Sequence, residues 1–297
     1  MNVALTGATG FIGSHVLAEL QQHGHEVKAL VRDDAQGEAV AARGVTPTVV
    51  DLYDQPAVVR ALSDADGAIH TASPGDETSA DLDSAVADAA IEAFDGGGKP
   101  YLQISGLWIY GNNMSIDEAS PIDAPALVAW REPIELRVLA AEGMRGVVIT
   151  SGVAYGDGGG GVPGVMLGSP RDDDGNLIML GTGHQHWDTI HVADLAEVFR
   201  RVLEDEAARG RYAVTDGLNP TVADITEAAA VAVGAPGAVP GSDDEARARL
   251  GDYFAEVLLL DQNAPATKVR NELDWRPSHP GLIEEFRHGS YRQVTAG

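Results

Sequence analysis

Three glycines, Gly7, Gly10 and Gly13, follow the apolar run Val3-Ala4-Leu5-Thr6 at intervals of three residues. That spacing suits a turn that brings backbone amides against a pyrophosphate. Glycine at position 7 admits the positive φ that a side chain disfavours. At position 10 it keeps a Cβ away from the phosphates, and at position 13 it lets the next helix, about 12–22, pack closely on the strand. The anion then meets unpaired N–H groups and the positive end of the helix dipole. A lone glycine triplet is common, but this one joins a strand starting at residue 2 to an amphipathic helix, the context a dinucleotide turn requires. Gly7, Thr9, Gly10, Phe11, Ile12 and Gly13 are therefore cofactor-binding candidates.

Ser105 is a second chemical candidate, because the run Tyr101-Leu102-Gln103-Ile104-Ser105 ends where open α/β sheets bind ligands. Its hydroxyl is placed to donate to a substrate carbonyl, the alternative being a serine that ends a strand in a local turn. His184 and His186 alternate on an extended segment, yet no cysteine and no spaced third ligand accompanies them, so no metal site is read. A histidine lining the substrate cleft is the more fitting role. Trp130 and Trp187 read as core or cleft wall, and His191 as a residue that caps or packs the helix beginning at 192.

The elements that must position these groups alternate between apolar strands and helices. Strands fit at 2–6, 26–31, 47–50, 67–71, 100–105 and 146–150; helices fit at 34–43, 55–63, 77–95, about 124–142, 192–205 and 222–233. Such alternation argues for a parallel sheet wrapped by helices. Beyond residue 155 the pattern changes to a glycine run, Gly156 to Gly161, and a polar loop with Asp172-Asp173-Asp174. Loops this long in a compact enzyme are lids or binding loops, or solvated insertions. Residues 234–242, rich in Pro and Gly, read as a second linker.

Composition narrows the function classes. The chain has 297 residues, 45 acidic against 20 basic, and a formal net charge of -25. That surface repels phosphate backbones and anionic lipid, which argues against nucleic-acid and membrane partners. The acidity suits either a salt-rich cytoplasm, where charges are strongly screened, or a GC-rich genome with its Ala, Gly, Arg and Asp codons. Cysteine is absent, which excludes disulfides and thiolate chemistry and fits a reducing cytoplasm. With a strand beginning at Asn2 no signal peptide is expected, and a cytoplasmic location follows.

Taken together the motifs resemble an extended short-chain dehydrogenase/reductase of the epimerase/dehydratase and dihydroflavonol-reductase-like type, over most of the chain. Thr6-Gly7-Ala8-Thr9-Gly10-Phe11-Ile12-Gly13 resembles the family's cofactor loop. Asp51-Leu52 resembles its adenine-contacting pair, and Thr71-Ala72-Ser73 the turn beneath ribose and pyrophosphate. Ser105 to Tyr110-Gly111 resembles the Ser-Ser-x-x-Val-Tyr-Gly strand end, with Gly106 in place of the second serine. Ser151-Gly152-Val153 stands where the family's backbone meets the nicotinamide. Ile190-His191-Val192-Ala193-Asp194 matches the His-Val-x-Asp helix start, and Leu273-Asp274-Trp275-Arg276-Pro277 the closing Leu-Gly-Trp-x-Pro motif.

The resemblance implies a Rossmann-type, doubly wound parallel sheet with a small C-terminal α/β substrate lobe. The cofactor domain spans 1–155, with 187–216 returning to it; the lobe comprises 156–186 and 217–297. It also implies a small-molecule substrate and a homodimer formed through the helices near 77–95 and 124–142. Arg32, after the second strand, stands where a 2′-phosphate is bound bidentately, which favours NADP over NAD; Asp33 and Asp34 beside it keep NAD open.

The departure lies at the chemistry. The family's Tyr-x-x-x-Lys pair moves a proton to or from a carbonyl while hydride passes. Here the corresponding helix contains neither residue. Aligning Glu135 with the family's glutamate puts Arg131 at the lysine position and Leu127 at the tyrosine; preserving loop length puts Trp130 there instead. Arg131 can orient the nicotinamide ribose as a fixed cation but cannot serve as a base. Tyr110 and Tyr155 are the nearest replacement phenols, each at a position the family uses for packing. Three readings follow. The first is an NADP(H)-dependent oxidoreductase of a small to medium carbonyl or alcohol, with Ser105 and Arg131 in the active site. The second is a nucleotide-sugar epimerase or dehydratase, and the third a non-catalytic dinucleotide-binding sensor or scaffold.

Overall fold

The structure is a computed structural model that describes residues 1–292. Its centre is a seven-stranded, fully parallel sheet. The six strands of the first half are β1 (Asn2–Thr6), β2 (Glu26–Val31), β3 (Thr46–Val49), β4 (Gly67–His70), β5 (Pro100–Gly106) and β6 (Arg145–Ser151). Three short strands follow: β7 (Val153–Tyr155), β8 (Leu177–Ile178) and β9 (Thr189–His191). Then β10 (Gly210–Val214) returns to the sheet beside β6, and β11 (Ala238–Val239) pairs with β8. The order is β10-β6-β5-β4-β1-β2-β3, so the chain reverses direction between β1 and β4, where open sheets leave a crevice.

Among the described residues, twelve α-helices pack around these strands: α1 (Phe11–Gln22), α2 (Asp34–Ala41), α3 (Gln55–Ser63), α4 (Ser79–Phe94), α5 (Arg131–Ala140) and α6 (Gly161–Leu167), then α7 (Val192–Glu204), α8 (Val222–Ala232), α9 (Asp243–Leu250), α10 (Asp252–Leu258), α11 (Thr267–Glu272) and α12 (Leu282–His288). Strand residues alternate between the two faces, as the pleat requires. Val3 and Leu5 join the core under α1 and α7 with Val16, Leu20 and Phe199. Ala4, Ala68, Tyr101 and Val148 join the opposite core under α3 to α5 with Val58, Val86 and Val138. Burial on both faces explains why these strands are continuous apolar runs. A separate core, including Leu177, Trp187, Val222, Ile225, Leu258 and Phe286, gathers the later short helices.

Two expectations change. The helix expected over about 124–142 begins at Arg131. Pro133 dictates this: inside a longer helix it would lose an N–H bond and press on the carbonyl of Ala129, whereas in the first turn it costs nothing. Residues 234–242 are not a bare linker, since they carry β11. The glycine run after Tyr155 is held in place: the Tyr291 hydroxyl accepts from Gly156 N at 2.7 Å, and Asp157 meets His15 Nε2 at 2.8 Å. In the polar loop, Asp172 accepts from the backbone N of Asp174 and of Asn176, closing an exposed turn. Among the described residues no helix is long and apolar enough to cross a membrane.

A Cβ added at Gly13 would collide with the Gly7 carbonyl and sit 2.6 Å from Thr71 Oγ1. Gly13→Ala is therefore expected to cost about 1–3 kcal/mol of stability as the helix is pushed off the strand. Denaturant unfolding measures it, and an unchanged midpoint would contradict the close-packing argument.

Candidate active site

The carboxyl ends of β1 and β4 build the first half of the site. Gly7 has φ 76°, and a Cβ there would lie 2.6 Å from Ala72 N. Thr71 Oγ1 donates to the Thr6 carbonyl at 2.8 Å, locking the two turns together. Gly10 caps α1 without a side-chain bond, and the helix has no acid in its first turn. Its leading amides are thus left for an external acceptor. They open on a cavity of about 520 Å³ lined by Gly7, Thr9, Gly10, Phe11, Ile12, Arg32, Asp51, Leu52, Thr71, Ala72 and Ser73. These are the expected cofactor residues of this half except Gly13, which is buried beneath the turn.

At the far end of that cavity Arg32 is largely exposed and pairs with Asp33 Oδ2 at 3.2 Å. Asp33 is committed elsewhere as well: its Oδ1 accepts from Gln36 N at 2.8 Å, capping α2. That amide bond, followed by Arg32, holds the Asp33 carboxyl below its ordinary range. The acid next to the cation is a helix cap first.

A second cavity of about 610 Å³ shares Phe11, Ile12, Thr71 and Ser73 with the first. Ser105, Arg131, Ser151, Gly152 and Val153 line it, so the remaining site candidates come together here. The register explains the meeting, because Ser105 pairs with Thr150 and Gly106 with Ser151 across β5 and β6. The walls are mostly apolar, with Leu107, Trp108, Val128, Trp187 and Phe254.

Ser105 differs from expectation in one respect. Its hydroxyl donates to Glu135 Oε1 at 2.5 Å, so its proton is already engaged. Glu135 is fully buried, and its other oxygen meets Arg211 Nε at 2.9 Å. Ser105 therefore offers a substrate lone pairs, not a ready proton. Arg131, at the first position of α5, stacks 4.6 Å over Trp130 and donates to the Ile104 carbonyl at 3.4 Å. Burial lowers its pKa from the ordinary guanidinium value, with Asp83 and Glu135 opposing; it stays a cation and a donor.

Neither candidate phenol lines the cavity. Tyr110 is buried, and its hydroxyl is pushed up to about 12 by burial. Tyr155 donates to Asp216 Oδ2 and to the Pro280 carbonyl, and burial raises its pKa well above the ordinary value. The histidines depart from expectation too: His184 is exposed, and His186 pairs with Asp261 at 2.9 Å. The cleft-lining residues of that segment are Trp187 and Asp188. His191 caps α7 by accepting from Ala193 N. Asp188 was not among the expected site residues, although an acid between Trp187 and the Thr189-Ile190-His191 strand was a signal in plain view. Phe254 and Gln262 arrive from the distant C-terminal region, with no local pattern to announce them.

Residues 7–122 match the family described as NAD(P)H-binding. A protein of Schizosaccharomyces pombe is 25% identical over 98% of this chain and 100% of its own length. The 3-diazoavenalumate denitrifying reductase of a Streptomyces species is 28% identical over 94% of this chain and 97% of its own. The crystal structure of the human epimerase family protein SDR39U1 with NADPH superposes with a TM-score of 0.76 at 22% identity, covering 98% of this chain and 99% of that one. The recognised resemblance and the doubly wound fold both stand.

The buried pair under Ser105 yields a test. Arg211→Met strands the Glu135 carboxylate without its cation and is expected to destabilise the protein by about 3–5 kcal/mol. Adding Glu135→Gln should recover much of that loss. Denaturant titration of the single and double variants reads both; equal losses would show that the charge pair is not the cause.

Proposed function

Given an NAD(P)H-binding domain within an extended short-chain dehydrogenase/reductase fold, we propose an NADP(H)-dependent oxidoreductase that interconverts a small to medium carbonyl compound and its alcohol. The observation that carries this is the adjacency of the two cavities, which share Phe11, Ile12, Thr71 and Ser73 in their walls. One end offers helix amides and a cation, and the other an apolar chamber. When bound, the dinucleotide supplies or accepts a hydride at its nicotinamide.

The chain's residues do the rest. Gly7, Gly10 and the start of α1 would hold the diphosphate, and Asp51 and Leu52 would meet the adenine. Arg131 would donate to the nicotinamide ribose, and the Ser151–Val153 backbone would support the ring. Trp108, Trp187 and Phe254 exclude water from the chamber, which strengthens every polar contact inside it. The reductase name of the Streptomyces relative supports oxidoreductase chemistry over a purely structural role.

NADP is preferred because Arg32 stands at the rim of the adenine-side cavity while its acidic neighbour is spent as a cap. Pairing through α4 and α5 remains part of the proposal on family resemblance; Leu136 on α5 is exposed, as such a surface requires. Nucleotide-sugar epimerisation or dehydration is the second reading, favoured by whole-chain fold similarity to UDP-glucose 4-epimerase of Thermotoga maritima (TM-score 0.74, 19% identity). It would have to proceed without the phenol and lysine.

Calorimetry with NADPH and NADH, followed by NADPH oxidation against a carbonyl panel, tests the proposal. Arg32→Ala is expected to weaken NADPH about tenfold, about 1.4 kcal/mol, and to leave NADH within about twofold. Failure of both dinucleotides to bind at millimolar concentration would remove the proposal. Turnover of a sugar nucleotide without added cofactor would favour the second reading.

A further inference from the structure

A carbonyl reduced in this chamber needs a proton as well as a hydride, and the usual phenol is missing. The polar side chains on the chamber wall are few: Ser73, Ser105, Arg131, Ser151, Asp188 and Gln262, with Thr71 at the junction. Most are committed. Ser105 donates to Glu135, Ser151 to the Gly152 carbonyl at 2.6 Å, and Thr71 to Thr6. Gln262 gives its amide protons to the carbonyls of Leu107 and Gly111, both at 2.8 Å. Arg131 does not release its proton, and a serine hydroxyl such as that of Ser73, 3.5 Å from Ser79 Oγ, is too weak an acid to do so unaided.

Asp188 is different. It is 4% exposed, and its Oδ2 is buried with no hydrogen-bond partner. Oδ1 accepts a long 3.4 Å contact from Asn219 Nδ2, and the Ala264 amide also bears on the carboxyl. Its backbone is fastened to the nicotinamide-side segment, because its carbonyl accepts from Val153 N at 2.8 Å. A Cβ at Gly152 would lie 2.7 Å from that same carbonyl oxygen. An unpaired buried carboxylate oxygen is costly as a charge and tolerable as a neutral acid.

We propose that Asp188 is the proton donor of this cleft, giving its carboxyl proton to the oxygen of a substrate reduced beside Ser151–Val153. The inference rests on the oxidoreductase reading. The step balances: hydride from the reduced dinucleotide forms the new C–H bond as the carbonyl π pair moves to oxygen. The Asp188 O–H bond then breaks as an O–H bond forms on that oxygen, and water restores the proton to the carboxylate. In the alcohol-oxidising direction the ionised carboxyl takes the proton.

The electrostatics agree. Burial pushes the Asp188 carboxyl up to about 7. The Ala264 amide and His186 pull it down, and Asp216 pushes it further up. Asp216 and His186 are the titratable groups that face it; Asp216 is occupied by Thr189 and Tyr155, and His186 by Asp261. The acid form dominates below about 7, so reduction should decline as pH rises through that value, and oxidation should gain.

Two measurements decide this. Infrared titration of the protein alone should show a protonated-carboxyl band that fades near pH 7 and is missing in Asp188→Asn. With NADPH and a carbonyl substrate, Asp188→Asn should lower kcat about 100-fold or more, leave NADPH affinity within about twofold, and abolish the decline above pH 7. Asp188→Glu should restore part of the rate with its pH dependence. A carboxyl already ionised at pH 5, or an Asn variant retaining the wild-type pH profile, would overturn the assignment. Wild-type protein that binds neither dinucleotide would instead overturn the oxidoreductase reading, and the infrared result would still decide the state of Asp188.

Discussion

The contact on which the rest depends is the one between two turns, residues 7–13 after β1 and residues 71–73 after β4. Gly13 rests on the Gly7 carbonyl, Gly7 rests on the Thr71–Ala72 backbone, and Thr71 bonds back to Thr6. No side chain larger than hydrogen fits at either glycine, so the approach is set by backbone alone. Because β1 and β4 are neighbours on either side of the reversal in strand order, closing this contact aims the free amides of α1 at the crevice. From these two turns, Phe11, Ile12, Thr71 and Ser73 line both cavities, so the contact places the two chambers side by side.

A second constraint comes from the buried Glu135. A carboxylate removed from water needs a cation and further hydrogen bonds, and here Arg211 and Ser105 provide them. This ties α5, β5 and β10 to one point just behind the chamber. The arrangement costs Ser105 its freedom as a donor. Under the proposed oxidoreductase reading, a proton would have to come from another residue of the wall, and Asp188, just before β9, lines the same cavity.

Much of this was legible in the sequence, for definable reasons. Strands buried on both faces appear as unbroken apolar runs, which makes β1, β4, β5 and β6 legible to within a residue; β3, Thr-Pro-Thr-Val and largely exposed, carries no such run. The glycine turn and the Arg32 position are local signals with local causes. The start near 124 lay too early, whereas Pro133, which belongs in the first turn of a helix, is the local signal that α5 is shorter and begins at Arg131. The short helices α9, α10 and α12 carry weak patterns, and tertiary packing around Phe286 and Leu258 defines them. Phe254 and Gln262 reach the chamber across more than a hundred residues of chain, a proximity that no spacing rule encodes. The role of Asp188 is illegible in sequence for another reason: an acid's significance there depends on its being buried with an unpaired oxygen, which only the fold decides.

The charge of the chain poses a last physical question, how a body with net charge -25 would hold a polyanionic cofactor. At physiological ionic strength the Debye length is about 8 Å, so remote carboxylates are largely screened and the local inventory decides. Most arginines are employed elsewhere: Arg145 clamps the carbonyls of Val202 and Leu203, Arg200 joins Glu19 to Glu204, and Arg211 serves Glu135. What remains along the trough is Arg32 at one end and Arg131 at the other, with the α1 amides between them. In the proposed binding mode, phosphate attraction would be carried by backbone dipoles at the start of α1 and by the cations Arg32 and Arg131. An acidic surface is compatible with such a site because the binding groups are placed by the fold itself, and composition can drift without touching them.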